Sequence, residues 1–191
     1  VACLVGSEMC IRDRGLGKGD ILWTSPNSYV ASANVGLLCD AEIDFVDIDP
    51  FNYNICIHAL SDKLKNAEKY GKLPKIVMPV HFAGQSCDMK AIKKLSKKYG
   101  FKIIEDASHA IGGSYNGTKI GSCRFSDITV FSFHPVKIIT TAEGGCATTN
   151  NIEIFENLKL FSSHGVTRDP KKMNIKTDEP WIYDQISIGL N

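Results

Sequence analysis

Short apolar runs alternate with amphipathic segments along most of the chain, and this pattern predicts strands that alternate with helices. Strands are expected at Ile21–Ser25, Glu42–Ile48, Lys75–Val80, Phe101–Asp106, Asp127–Phe133 and Cys146–Thr149. Helices are expected at Tyr29–Cys39, Ile57–Tyr70, Met89–Tyr99 and Ile152–Ser162. The residues after Ser163 form a polar, charged stretch without a clear period, and we expect a loop there.

This alternation predicts an α/β fold, with a mostly parallel sheet flanked by helices on both faces. In sheets of this kind, ligands bind at the carboxyl ends of the strands. The positions of interest are therefore Ser25, His81, Asp106 and the segment that follows Phe133.

The composition is that of an ordinary globular protein and argues against several classes of partner. Of the 191 residues, 43% are hydrophobic and 23% are charged. Lysine plus arginine (22) balances aspartate plus glutamate (21), so neither nucleic acid nor a membrane surface is expected as a partner. Seven scattered cysteines without a CxxC pair suggest neither a metal site nor a disulfide framework, and they fit a reducing cytoplasm.

The first fourteen residues, VACLVGSEMCIRDR, do not fit the pattern of the rest of the chain. They lack the positive start and the continuous apolar core of a signal peptide. We interpret residues 1–14 as a foreign or disordered stretch, similar to the translated adapter runs found in assembled sequence data. The domain itself is then expected over residues 15–191.

Asp106, His109, Ser132 and Lys137 are the candidate reactive residues, and each also has an ordinary structural interpretation. Asp106 can cap a helix, His109 can be a loop histidine and Ser132 an ordinary strand hydroxyl. Lys137 can be a surface lysine whose stem covers apolar residues. Other chemistries lack their motifs, because the chain has no P-loop, no G-x-S-x-G elbow and no HExxH pair.

Together, these side chains are the parts of a site for pyridoxal 5'-phosphate (PLP). In such a site a lysine amine bonds to the aldehyde, a carboxylate pairs with the pyridine nitrogen and a hydroxyl holds the phosphate. Lys137, Asp106 and Ser132 can fill these roles, and Tyr29 can stack on the ring. From the residues alone, an α/β binding module without a cofactor remains the alternative.

Two segments, EDASHAIGG (105–113) and GSCRFSDITVFSFHPVKIITTAEGG (121–145), closely resemble the DegT/StrS family of nucleotide-sugar aminotransferases. The resemblance runs from about Gly15 to the last residue and includes GKGDILWTSPNSYVASAN, DFVDIDPFNYNI, PVHFAGQSCDM and SSHGVTRDP. It implies the fold-type I, aspartate aminotransferase-like architecture. The chain is then expected to be a partial large domain, without the family's N-terminal segment and C-terminal small domain.

The same resemblance implies a role for each site residue. Lys137 corresponds to the lysine that forms the Schiff base, and Asp106 to the partner of the pyridine nitrogen. His109 is expected beside the phenolic oxygen of the cofactor, and Ser132 at its phosphate. Tyr29 takes the place of the tryptophan or phenylalanine that stacks on the ring.

The segments SHGVTRDP and PWIYDQISIGLN resemble the pseudaminic-acid branch of the family most. That branch implies amino transfer from L-glutamate to the 4-keto carbon of a UDP-linked 2-acetamido-2,6-dideoxy-hexulose, in a cytoplasmic homodimer. The alternatives are another 4-keto or 3-keto nucleotide-sugar aminotransferase, or an inactive fragment. A sugar dehydratase of the same fold carries histidine at the lysine position, and Lys137 argues against it.

Overall fold

A central sheet dominates the computed structural model, which describes residue 11 and residues 15–177, 179 and 181–189. The strands within these residues are β1 Ile21–Thr24, β2 Glu42–Phe45, β3 Ile76–Met78, β4 Lys102–Asp106, β5 Ser114–Tyr115, β6 Thr118–Lys119, β7 Ile128–Ser132, β8 Gly145–Thr148, β9 Val166–Thr167 and β10 Asp184–Gln185. Six of them form one sheet in the order β2-β1-β3-β4-β7-β8. The pairs from β2 to β7 are parallel, and β8 runs antiparallel to β7.

Four α-helices lie within the described residues: α1 Ala31–Leu37, α2 Ile57–Lys69, α3 Met89–Tyr99 and α4 Ile152–Phe161. Asp88 caps α3 by accepting a hydrogen bond from the Ala91 amide, and Asn151 caps α4 in the same manner. Gly100 ends α3 in the left-handed conformation. A 3-10 turn, Phe82–Gly84, follows β3.

The sheet separates two apolar cores, and the alternation of side chains along each strand explains the division. One core contains Leu22, Ile76 and Ile104 and is covered by residues of α1 and α4, such as Val35 and Leu158. The core on the other face is covered by α2 and α3, and it contains Trp23, Val77, Ile103, Leu60 and Ile92. Strands covered on both faces require near-continuous apolar sequences, as seen in the IVM sequence of β3.

The predicted fold class, an α/β fold with a mostly parallel sheet flanked by helices, is confirmed. Each predicted strand and helix is present, with ends that differ by a few residues. The structure adds the β5–β6 hairpin, the 3-10 turn and the short β9–β10 pair. The expected loop after Ser163 therefore contains two paired strands of two residues each, which are too short to leave a periodic signal.

Within the described residues, none of the helices is long and apolar enough to cross a membrane. The predicted foreign stretch, residues 1–14, lies outside the described residues except for Ile11, which is buried in the first core.

Candidate cofactor site

Asp106 ends β4 at the carboxyl edge of the sheet, and hydrogen bonds fix both its backbone and its side chain. Its amide donates to the Pro79 carbonyl at 2.9 Å, and its carbonyl accepts from the His81 amide at 3.0 Å. The hydroxyl of Ser32 donates to Oδ2 at 2.7 Å. The hydroxyl and the amide of Ser108 donate to Oδ1 at 2.6 and 3.1 Å. The carboxylate is therefore held in one orientation by donors on both of its oxygens.

Lys137 and His109 meet at the same edge, with 2.8 Å between Nζ of the lysine and Nε2 of the histidine. Lys137 belongs to the loop between β7 and β8, and His109 follows Asp106 in the turn after β4. An ammonium group has only protons to donate, so a neutral imidazole accepts this hydrogen bond at Nε2.

The loop that carries Lys137 is closed at its base by the end of β7. Phe133 donates from its amide to the Gly144 carbonyl at 2.8 Å and accepts from the Thr141 amide at 3.0 Å. The Lys137 amide donates to the His134 carbonyl at 2.9 Å, which forms a tight turn inside the loop. These bonds shape the backbone of the loop from which the Lys137 side chain reaches His109.

The turn that carries His109 packs against the 3-10 turn after β3. The Ala110 amide donates to the Ala107 carbonyl at 2.9 Å, which closes the His109 turn. Gly84 has a φ of +85°, and a Cβ atom there would lie 2.5 Å from the His109 carbonyl oxygen. A side chain at position 84 would therefore displace the histidine turn.

The electrostatic surroundings keep the His109 imidazole neutral. Partial burial of the ring and then the positive charge of Lys137 lower the pKa of His109 below its usual value of 6.5, while the charge of Asp106 opposes this shift. A neutral ring is the form that can accept a hydrogen bond from the lysine.

Ser132 and Tyr29 complete the predicted set. Ser132 ends β7 and is buried, and its register places its side chain on the same face of the sheet as Asp106. Within the described residues, its hydroxyl accepts one weak hydrogen bond, from the His134 amide at 3.4 Å, and has no acceptor for its own proton. Tyr29 lies just before α1, and the residue is 77% exposed.

Of the four predicted strand ends, His81 does not present its side chain to this site. Its ring is fully buried on the other face of the sheet, where Nε2 lies 2.8 Å from Oε2 of Glu105. Ser126 and Thr129 donate to the other oxygen of Glu105. The Cys87 amide donates to Nδ1 of His81 at 3.2 Å, so Nε2 is the ring nitrogen that donates to the carboxylate.

The arrangement thus places an amine, an imidazole, a carboxylate and a buried hydroxyl at the ends of two adjacent parallel strands. The sequence profile of the DegT/DnrJ/EryC1/StrS aminotransferase family matches residues 2–191. The chain belongs to this family.

Two curated relatives illustrate the range of the family. The UDP-4-amino-4,6-dideoxy-N-acetyl-beta-L-altrosamine transaminase of Campylobacter jejuni is 39% identical over 175 residues, which are 91% of this chain and 42% of the relative. The GDP-perosamine synthase of Caulobacter vibrioides is 35% identical over 175 residues, which are 90% of this chain and 44% of the relative.

Solved structures of the family share the fold. An aminotransferase of Brucella abortus superposes with a TM-score of 0.86 at 30% identity, over 100% of this chain and 48% of the other. PseC of Helicobacter pylori is an aminotransferase involved in the biosynthesis of pseudoaminic acid. It superposes with a TM-score of 0.81 at 33% identity, over 97% of this chain and 46% of the other. The PLP form of Spr1654 from Streptococcus pneumoniae superposes with a TM-score of 0.79 at 26% identity, over 99% of this chain and 49% of the other. The chain spans less than half the length of each of these five proteins.

The chemistry of the donor set in this family member fits PLP. An amine, a carboxylate and a hydroxyl are the groups that suit the aldehyde, the ring nitrogen and the phosphate of PLP, and the site contains one of each in Lys137, Asp106 and Ser132. Among these site residues, the Ser132 hydroxyl has no acceptor for its proton within the described part of the chain, and the exposed Tyr29 has no aromatic stacking partner there.

Sequence reasoning missed the two serines that hold Asp106. The contact with Ser108 was predictable from the local sequence, because a serine two residues after an aspartate is typical of a turn in which the aspartate side chain accepts a hydrogen bond from the backbone. The contact with Ser32 was not, since 74 residues separate it from Asp106.

Proposed function

We propose that the full-length protein is a PLP-dependent aminotransferase in which Lys137 holds the cofactor covalently. The observation that carries this proposal is the 2.8 Å approach of Lys137 to His109, one turn beyond the firmly held Asp106, in a chain of an aminotransferase family. When bound, PLP supplies an aldehyde and an electron-withdrawing ring. The residues of this chain described above then bind and orient the cofactor.

Each site residue other than Lys137 then has one task. The Asp106 carboxylate accepts a hydrogen bond from the ring nitrogen and keeps that nitrogen protonated. The Ser132 hydroxyl donates to a phosphate oxygen, and His109 contacts the phenolic oxygen. The exposed ring of Tyr29 covers one face of the cofactor.

Lys137 is also the group we propose to move protons during amino transfer. Once the amine of the amino donor has displaced Nζ from the aldehyde, the freed amine would take up the proton released from the donor and return it in the next step, a task that suits a lysine on a flexible four-carbon stem. The neutral His109 ring, 2.8 Å away, accepts a hydrogen bond from Nζ and holds it at the sheet edge.

We propose L-glutamate as amino donor and a UDP-linked 2-acetamido-2,6-dideoxy-4-hexulose as acceptor. The 39% identity to the Campylobacter jejuni altrosamine transaminase supports this choice. The test supplies the purified full-length protein with PLP, glutamate and this ketosugar, and it follows the gain of an amino group by mass spectrometry. An aminated product supports the proposal, and an unchanged sugar under conditions in which PLP binds contradicts it.

A GDP-linked 4-keto-6-deoxy sugar is the second candidate acceptor, because the GDP-perosamine synthase of Caulobacter vibrioides is 35% identical. The same assay with the GDP-linked ketosugar separates the two. A preference for the GDP sugar would keep the aminotransferase assignment and change the substrate.

We propose further that the full-length enzyme is a homodimer. The residues beside the reactive lysine are apolar and exposed, with Val136 at 77%, Ile138 at 68% and Ile139 at 52%. Exposed apolar surface of this kind marks an interaction site, and a second copy would cover it. Size-exclusion chromatography with light scattering tests this, and a monomer would contradict it.

Compartment and domain boundaries complete the proposal. Among the described residues, Cys56, Cys87, Cys123 and Cys146 are free thiols, which supports a reducing cytoplasm. We keep residues 15–191 as part of a PLP-binding large domain and residues 1–14 as foreign to it. The family match begins at residue 2 and therefore overlaps residues 1–14, so the genomic reading frame is the test of whether that stretch is foreign.

A further inference from the structure

Ser32 is a buried serine on α1 whose hydroxyl contacts the carboxylate of Asp106. The side chain is 4% exposed, and Oγ lies 2.7 Å from Oδ2. α1 is packed closely onto the sheet at Gly36, where a Cβ atom would lie 3.1 Å from Leu22 and closer still to Ile43. This close packing holds α1 against the sheet, and the hydrogen bond to Asp106 orients the Ser32 hydroxyl.

The two carboxylate oxygens of Asp106 accept hydrogen bonds from different serines. Oδ1 accepts from the amide and the hydroxyl of Ser108, at 3.1 and 2.6 Å. Within the described residues, Oδ2 accepts from Ser32 alone. A carboxylate oxygen has about two acceptor positions, so Oδ1 is saturated while Oδ2 keeps one position for a further donor.

We propose that Ser32 is a positioning residue that turns Oδ2 of Asp106 toward the ring nitrogen of the cofactor. This inference rests on the proposed function. Without the Ser32 hydroxyl, the carboxylate keeps its anchor at Ser108 but loses the bond that fixes its rotation. The remaining acceptor position of Oδ2 is then no longer aimed, and the contact with the ring N–H weakens.

The test compares PLP with its 1-deaza analogue, in which a carbon–hydrogen unit replaces the ring nitrogen. The analogue keeps the aldehyde and the phosphate but cannot donate to Asp106. We expect Ser32→Ala to raise the Kd of PLP about tenfold and to leave the Kd of the analogue within about twofold. Ser32→Thr keeps the hydroxyl and should restore the wild-type ratio of the two constants.

Ser96→Ala is the matched control, since Ser96 is also buried and donates to the Phe101 carbonyl at 2.7 Å, away from the site. It should leave the ratio of the two Kd values unchanged. Ser32→Cys, which preserves the side-chain volume but donates weakly, gives the same comparison if the alanine variant does not fold, and it should also weaken PLP selectively.

The outcomes separate this inference from the proposed function. If Ser32→Ala weakens PLP and the analogue equally, Ser32 has only a structural role and the inference is overturned. If the wild-type protein binds PLP no better than the Lys137→Ala variant, the proposed function itself fails. A selective loss for PLP that threonine restores supports the positioning role.

Discussion

The amine of Lys137 and Nε2 of His109 lie 2.8 Å apart, although 28 residues separate them in the sequence. The contact joins the loop after β7 to the turn after β4, and both of these segments are closed by their own backbone hydrogen bonds. Because the lysine charge faces the imidazole, protonation of the histidine is opposed by its partner. The pKa of His109 therefore reports on the charge of Lys137.

The titration of His109 should respond in opposite directions to its two charged neighbours. Its pKa is expected below 6.5, and Lys137→Met should raise it because the repelling charge is removed. Asp106→Asn should lower it further, because the carboxylate favours the protonated ring. NMR of the histidine-labelled apoprotein between pH 4 and 8 measures both shifts, and equal movement in the same direction would contradict this arrangement.

The sign of this shift also fixes its effect on stability. The folded state releases the His109 proton more readily than the unfolded chain, so protonation favours unfolding. This contribution opposes folding progressively as the pH falls below 6.5 toward the lowered pKa, and it is absent above that range.

Gly84→Ala should destabilise the fold by more than the backbone strain of an alanine at positive φ, because the added Cβ would also clash with the His109 turn. Gly84 and Gly100 have nearly the same φ, +85° and +83°, but only a Cβ at Gly84 meets a neighbour, the His109 carbonyl. Gly100→Ala should cost about 1 kcal/mol of unfolding free energy through strain. Gly84→Ala should cost a further ~1–3 kcal/mol through the clash, and it alone should shift the His109 NMR signal. Equal losses in urea denaturation would show that the contact is unimportant.

The elements of the fold were predictable because each strand and helix carries its own local pattern. The apolar IVM run of β3 and the amphipathic α3, which ends at Gly100, are examples. The β5–β6 hairpin was overlooked although its Asn116-Gly117 turn, with positive φ at both residues, is a known hairpin signal.

The residues of the site were easier to predict from the sequence than the contacts between them. Asp106 and Ser132 are the last residues of their strands and Lys137 follows the second of these strands, and the pattern identifies such strand ends. The bond from Ser32 to Asp106 depends on how α1 packs across the sheet, and no short-range pattern encodes that distance. His81 was a candidate by its position after β3, but its ring pairs with Glu105 on the opposite face.

Glu105→Gln should destabilise the fold even though Glu105 lies on the face opposite the site. Burial raises the pKa of Glu105, but the hydrogen bonds from His81, Ser126 and Thr129 outweigh it and hold the pKa below 4.5. The stabilisation is therefore present above pH 4.5 and is lost as the pH falls through the lowered pKa. At pH 7 we expect a loss of roughly 2–3 kcal/mol, measured by urea denaturation.

Glu156→Gln is the control for this prediction. Glu156 pairs with Lys172 at 3.1 Å, and its side chain is 47% exposed. Its loss should be below about 1 kcal/mol. A similar loss in both variants, or a Glu105→Gln deficit that does not shrink in acid, would refute the role of the buried network.

Asp106→Asn should preserve the fold and the attachment of PLP but slow amino transfer by orders of magnitude. An amide keeps the shape of the side chain but cannot hold the ring nitrogen protonated. Single-turnover formation of pyridoxamine phosphate from glutamate measures the effect. A wild-type rate in the variant would refute the role of Asp106.

Covalent attachment of PLP to Lys137 is the central claim, and borohydride reduction followed by peptide mass analysis tests it most directly. The full-length protein is loaded with PLP, reduced and digested, with Lys137→Arg as the control because a guanidinium does not bond to the aldehyde under these conditions. We expect the pyridoxyl group on the peptide that contains Lys137 and none in the control. A pyridoxyl group on another lysine of the wild-type protein, or equal labelling of the control, would contradict the assignment.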